Sequence, residues 1–103
     1  MLSEQEIKKV RKYLNGRDKE FAEIFKTLSD PNRCKIFRTL AAEGRLSVGD
    51  TAKVLNISLS LASQHLKILL QSGLLTKQKQ GRSVYYKLKQ NNKIVSSILK
   101  AIK

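Results

Sequence analysis

The chain has one cysteine, one proline, one methionine and no tryptophan in 103 residues. A lone Cys34 can close no internal disulfide, so this is no cystine-stapled scaffold, and the single thiol fits a reducing compartment. The one histidine, His65, can build no metal site without further ligands. No apolar run approaches the ~18 residues of a membrane span. The first residues carry Glu4 and Glu6 and no apolar signal core, so we expect a cytoplasmic protein with no membrane partner. Only eight residues are acidic, and none follows Asp50. There is no paired-carboxylate site, phosphate-binding glycine motif, or nucleophile with a base beside it, so the chain is not read as an enzyme.

What is present is positive charge, unevenly spread. Residues 1–44 hold ten basic and seven acidic side chains, a net of +3; residues 45–103 hold eleven basic and one acidic, a net of +10. A field polarised in this way favours a polyanion. The basic residues do not gather on one amphipathic helix, as a membrane surface would require, so double-stranded DNA is the expected partner. The length is that of one domain, 1–103, with a modest core that a dimer interface would enlarge.

Periodicity predicts mostly helix. Ser3 with Glu6 forms a capping box for a first helix carrying Ile7, Val10 and Leu14, stopped at Asn15-Gly16. Phe21, Ile24, Phe25 and Leu28 mark a second. Asp30-Pro31 opens a third, whose apolar arc is Cys34, Ile36, Phe37, Leu40 and Ala41, ended by Gly44. Ser47 and Asp50 cap a short fourth helix that Asn56 breaks. Ser58 caps a fifth over residues 59–71. At roughly 100° per residue, Leu59, Ala62, Leu66, Leu69 and Leu70 of this helix share a core-facing arc, while Ser60, Ser63, Gln64, Lys67 and Gln71 share another. Residues 74–78 and 83–88 read as strands, with 79–82 as the turn, where Gly81 supplies a positive φ. A last helix over 92–102 carries Ile94, Val95, Ile98, Leu99 and Ile102, a face that needs a partner surface. The expected fold is mainly α with a small β-hairpin: a dimeric winged helix-turn-helix.

Three stretches, "LSDPNRCKIFRTL", "ISLSLASQHLKILLQSGLL" and "GRSVYYKL", resemble the ArsR/SmtB family of bacterial winged-helix repressors over about residues 20–89. The resemblance implies a homodimer joined by its first and last helices, which binds a palindromic operator and represses transcription. Many members release DNA when a metal or another inducer binds. The family's sensing cysteines would fall near residues 46–50, where this chain has none, and its last helix offers only Asn, Lys and Ser in place of Asp, His and Glu ligands. We therefore expect no metal site and no cofactor. Leu59 stands where Gln or Pro is usual, Leu61 where a small or polar residue is usual, and Thr51 where a core Leu is usual.

The candidate DNA-contacting residues are Ser58, Ser60, Leu61, Ser63, Gln64, His65 and Lys67 on the fifth helix and Lys77, Lys79, Arg82 and Lys87 on the hairpin. Gln64 is the best base reader, since its amide can pair bidentately with adenine N6 and N7. Ser60 and Ser63 can donate to phosphate or base edges, and Lys67 suits phosphate. Leu61 fits either a thymine methyl or the neighbouring helix. His65 is expected at the helix rim, bonding backbone or phosphate. Arg82 is read as a wing tip reaching the minor groove. Phe21, Ile24, Ile94, Ile98, Leu99 and Ile102 are the candidate dimer face. Cys34 is expected as a buried packing thiol; a redox role would need it exposed. An unidentified inducer or a sequestering protein partner stays open as the controlling input. So does a different class of function, a winged helix whose basic half docks an acidic protein.

Overall fold

The computed structural model describes residues 1–14 and 16–102, with Ile102 as backbone only. In chain order the elements are α1 (Glu4–Leu14), α2 (Asp18–Leu28), α3 (Pro31–Glu43), α4 (Val48–Leu55), α5 (Leu59–Gln71), β1 (Leu75–Gln80), β2 (Ser83–Leu88) and α6 (Lys93–Ile102). All six expected helices and both strands are present. Asn15, expected to stop α1, lies outside the described residues; Gly16 has φ +76°.

Local chemistry sets the boundaries. Ser3 and Glu6 exchange backbone-to-side-chain bonds of 2.9 and 3.1 Å at the start of α1. Asp30 accepts from the N–H groups of Asn32 and Arg33, and Pro31 fills the first helical position of α3. Ser47 and Asp50 make the reciprocal box of α4. Asn56 ends α4 with φ 54°, a left-handed conformation that Asn tolerates. Ser58 Oγ then accepts from Leu61 N–H and starts α5 two residues later.

The core gathers Ile24 from α2, Ile36, Phe37 and Leu40 from α3, Leu66 and Leu69 from α5, Leu74, Leu75 and Leu88 at the strands, and Ile94 and Val95 from α6. Leu66 is fully buried at its centre, so truncation to Ala would cost about 2–5 kcal/mol. Buried Thr51 stands at the expected core-Leu position with its hydroxyl satisfied by Ser47 O at 2.8 Å. Leu46 exchanges two backbone bonds with Tyr86, which stitches the α3–α4 connection to the hairpin.

The turn is tighter than expected. The strands pair from Leu75↔Leu88 to Gln80↔Ser83, leaving a two-residue loop of Gly81 and Arg82. Gly81 alone has positive φ there, at 61°, the pattern of a type II′ turn. Its twist matches the strands and lets pairing run to the tip, where sequence alone suggested a four-residue loop.

α1 has no buried residue. The molecule extends 57 Å along its long axis against 25 and 24 Å across, and its radius of gyration is 16.8 Å where a compact domain of this length has about 13 Å. Ile7, Val10 and Leu14 of α1 and Phe21 and Phe25 of α2 are all exposed. The two phenylalanine rings stack at 6.3 Å, with the Arg17 guanidinium 5.7 Å from the Phe21 centroid.

The expected dimer face is therefore corrected in part. Ile24 and Ile94 belong to the chain's own core, at 2% and 3% exposure. Ile98 and Leu99 are half-buried against that core and Phe21 is exposed; the Ile102 side chain lies outside the described residues. On α3, Cys34 and Ala41 are exposed, not part of the buried arc. Ile36, Phe37 and Leu40 centre that arc, and at roughly 100° per residue Cys34 and Ala41 fall outside its edge.

The caps make stability depend on pH. Backbone N–H donation from Arg33 holds the Asp30 carboxyl below its ordinary range, and bonds to Ser47 do the same for Asp50. A carboxyl depressed in the folded state stabilises above its unfolded pKa, and that contribution is lost as pH falls through the folded value. Asp30→Ala should lower unfolding free energy by about 1 kcal/mol at neutral pH. Its gap from wild type should narrow as the carboxylate protonates, and urea unfolding at neutral and acid pH measures both values.

Candidate nucleic-acid interface

α4 and α5 form a helix-turn-helix joined through Asn56, Ile57 and Ser58. Ile57 N–H returns to Ala52 O at 3.0 Å, which closes the corner and fixes the angle at which α5 leaves. Along α5 the inward edge is Ala62, His65, Leu66 and Leu69. Ser60, Ser63, Gln64, Lys67 and Gln71 are all exposed. The helix thus presents a polar edge with one cation and no carboxylate. Its spacing suits donors and acceptors that enter a groove about 12 Å wide together.

Two α5 residues sit differently from expectation. Leu59, assigned to the core arc, is 62% exposed. It stands in angular line with Leu66, but in the first turn, beyond the reach of the elements that cover Ala62, Leu66 and Leu69. His65, expected at the rim, is only 7% exposed, and its Nδ1 meets Arg33 Nη1 at 3.3 Å. Leu61 is 37% exposed beside Gln64, so it does not pack fully against a neighbouring helix.

The hairpin carries the remaining candidates. Directly opposed residues of an antiparallel pair share a face. Lys77 opposite Tyr86 and Lys79 opposite Val84 therefore lie on the face of Leu75 and Leu88. Lys87, opposite Thr76, lies on the other face with Gln78 and Tyr85. The three lysines do not act as one patch. Arg82 occupies the tip of the turn, exposed.

Arg45, not singled out in the sequence, braces the hairpin. Its guanidinium sits 4.2 Å from the Tyr85 ring centroid, and Nη1 donates to Gln80 Oε1 at 2.7 Å. A cation on a ring face and a hydrogen bond at the strand end together hold the wing against the start of α4. No sequence signal marks this contact, because it depends on the strand register that brings Gln80 and Tyr85 to one face. In the sequence Arg33 stands out only as part of the stretch "LSDPNRCKIFRTL", and its side-chain partners lie on two other helices.

Among the described residues no three of His, Cys, Asp and Glu come together in a way that could hold a metal ion. None of the described helices is long and apolar enough to cross a membrane.

Comparison with known proteins bears on this geometry. A helix-turn-helix domain family matches residues 28–78. The cadmium resistance transcriptional regulatory protein CadC homolog of Staphylococcus aureus is 42% identical over 69 residues, 67% of this chain and 57% of that protein. The chain thus spans less than two thirds of this cadmium regulator. The arsenical resistance operon repressor of Bacillus subtilis is 35% identical over 81 residues, 79% of this chain and 75% of the repressor. In three dimensions the transcriptional regulator HlyU of Vibrio vulnificus matches with TM-score 0.74 and 31% identity, covering 88% of this chain and 92% of HlyU.

Proposed function

The chain belongs to the ArsR/SmtB family of winged-helix transcriptional regulators, and on that premise we propose that it is a homodimeric, sequence-specific DNA-binding repressor acting on a palindromic operator in the cytoplasm. The observation that carries this reading is the division of α5. One edge is fully buried at Ala62, Leu66 and Leu69, and the opposite edge is exposed and polar, with no acid in the sequence after Asp50. In this reading α5 enters the major groove with Ser60, Ser63 and Gln64 toward base edges and Lys67 toward phosphate, with Leu61 beside them and Ser58 at the helix entry. The wing lies along the flanking duplex, Arg82 foremost, with Lys77, Lys79 and Lys87 adding charge from both of its faces.

Gln64→Ala should weaken binding to the cognate duplex by about 1–3 kcal/mol and relax specificity at one base pair. Lys67→Ala and Arg82→Ala should weaken cognate and random duplexes alike, each lowering the salt slope by about one ion. Fluorescence anisotropy across a salt series separates the two behaviours. Equal losses on both duplexes for Gln64→Ala would remove it as a base reader.

The uncovered side of α1 and α2 supports the dimer in this reading. Ile7, Val10 and Leu14 line one face of α1, and Phe21 and Phe25 lie exposed beyond it. A second copy that buries this face, together with α6 around Ile98 and Leu99, would set two α5 helices on successive turns of a duplex. Val10→Glu should give a monomer in sedimentation at tens of micromolar with operator affinity sharply reduced. A wild type already monomeric at that concentration would contradict the proposal.

We further propose that the chain senses no transition metal through the family's usual sites, whatever the named cadmium and arsenic regulators respond to. Such sites need three or four convergent thiolates, imidazoles or carboxylates. Here the one thiol is exposed on α3 and the one imidazole is engaged by Arg33. Titration calorimetry with zinc and cadmium should find no stoichiometric binding tighter than about micromolar. Tight binding abolished by Cys34→Ser would overturn this.

A further inference from the structure

Arg33 sits in the first turn of α3, where its backbone N–H is held by Asp30 Oδ1 at 3.1 Å. From there its guanidinium reaches two other helices. Nε donates to Thr27 O, near the C-terminal end of α2, at 2.7 Å, and Nη1 meets His65 Nδ1 on α5 at 3.3 Å. A guanidinium carries donors only. For this contact to be a hydrogen bond Nδ1 must accept, which requires the ring hydrogen on Nε2. His65 is 7% exposed and adjoins fully buried Leu66 in sequence.

We propose that Arg33 and His65 are positioning residues: a directional brace that fixes the rotation and slide of α5 on the α2–α3 corner, so that DNA affinity depends on a pair that does not touch DNA. This rests on the reading of α5 as the DNA-reading helix. The need for a brace follows from the rest of the α5 contact. Ala62, Leu66 and Leu69 contribute apolar burial, which is large but non-directional. Groove recognition requires donors and acceptors held to a few tenths of an ångström. A planar fork that joins a helix-end carbonyl to an imidazole supplies that direction; a lysine ammonium, whose three donors share one nitrogen, lacks the separated nitrogens that reach both acceptors.

The test uses the full chain and the duplex that the wild type enriches from a random-sequence library. His65→Asn places an amide oxygen near the Nδ1 position and should retain affinity within about threefold. His65→Gln and Arg33→Lys should each lose about tenfold or more, with the salt slope unchanged because no phosphate contact is removed. Affinities are taken per folded protein from urea unfolding of each variant, and a loss wholly accounted for by unfolding overturns the proposal. So does His65→Asn binding as weakly as His65→Gln with a salt slope lower by about one ion, which would make His65 itself a phosphate contact. So does wild-type affinity in Arg33→Lys. The nitrogen resonances of His65 give a readout independent of DNA. The wild type should show the Nε2–H tautomer with Nδ1 hydrogen-bonded, and Arg33→Lys should lose that bond. An Nδ1–H tautomer in the wild type overturns the brace. If no duplex is enriched, the DNA reading fails while the tautomer still decides the brace.

Discussion

The seating of α5 organises the molecule, because one 13-residue helix must be apolar on one side to be held at all. Ala62, Leu66 and Leu69 are each at 0% exposure, against a wall that Ile36, Phe37 and Leu40 of α3 build. That burial decides which residues remain outside, since a helix that commits one arc to the core exposes the opposite arc by geometry. The elements that follow inherit the same anchor. Leu74 and Leu75 are buried immediately after the helix, so β1 leaves from the core and its remaining five residues run outward, exposed. Leu88 brings β2 back opposite Leu75, and Ile94 and Val95 close α6 over the same cluster.

Charge then works on a surface whose shape is already set. The only acid in residues 45–103 is Asp50, and its carboxylate is occupied by Ser47 as a helix cap. The eleven cations of that half share it with this one acidic side chain, so their field adds over the α5 edge and the wing. Acids in the first half serve locally. Glu6 and Asp30 cap helices, and Glu20 pairs with Arg17 at 3.7 Å on the surface.

Much of this was legible in the sequence. The start of α5 is legible because Ser58 is a local signal, and both capping boxes and the Asp30 cap act within three residues. What escaped was depth and cross-chain geometry. A helical wheel orders residues by angle but does not say where neighbouring elements stop, so Leu59 groups with Leu66 although its own side chain is 62% exposed. The same limit put Cys34 inside and left Ile24 and Ile94 on a supposed dimer face. The Arg33–His65 and Arg45–Tyr85 contacts join residues 32 and 40 positions apart, and no local pattern encodes them. The turn length is not legible because Gly81 fits both a four-residue loop and a two-residue type II′ turn, and only strand register decides between them.

The uncovered side of the molecule is the counterpart of that core. α1 has eleven residues and buries none of them. Helices shorter than about 12–15 residues are marginal in water without tertiary contacts, even with a capping box. Its apolar face is regular, Ile7, Val10 and Leu14 at helical spacing, and nothing in the described chain covers it. A surface that covers that face would stabilise the helix and itself together, and folding of α1 would become linked to assembly by mass action. α2 stands between the two regions: Phe21 and Phe25 belong to the open side, while Thr27 O, two residues on, holds Arg33 and through it α5. Whatever covers α1 and α2 therefore bears on the same helix whose last turn anchors the polar edge of α5.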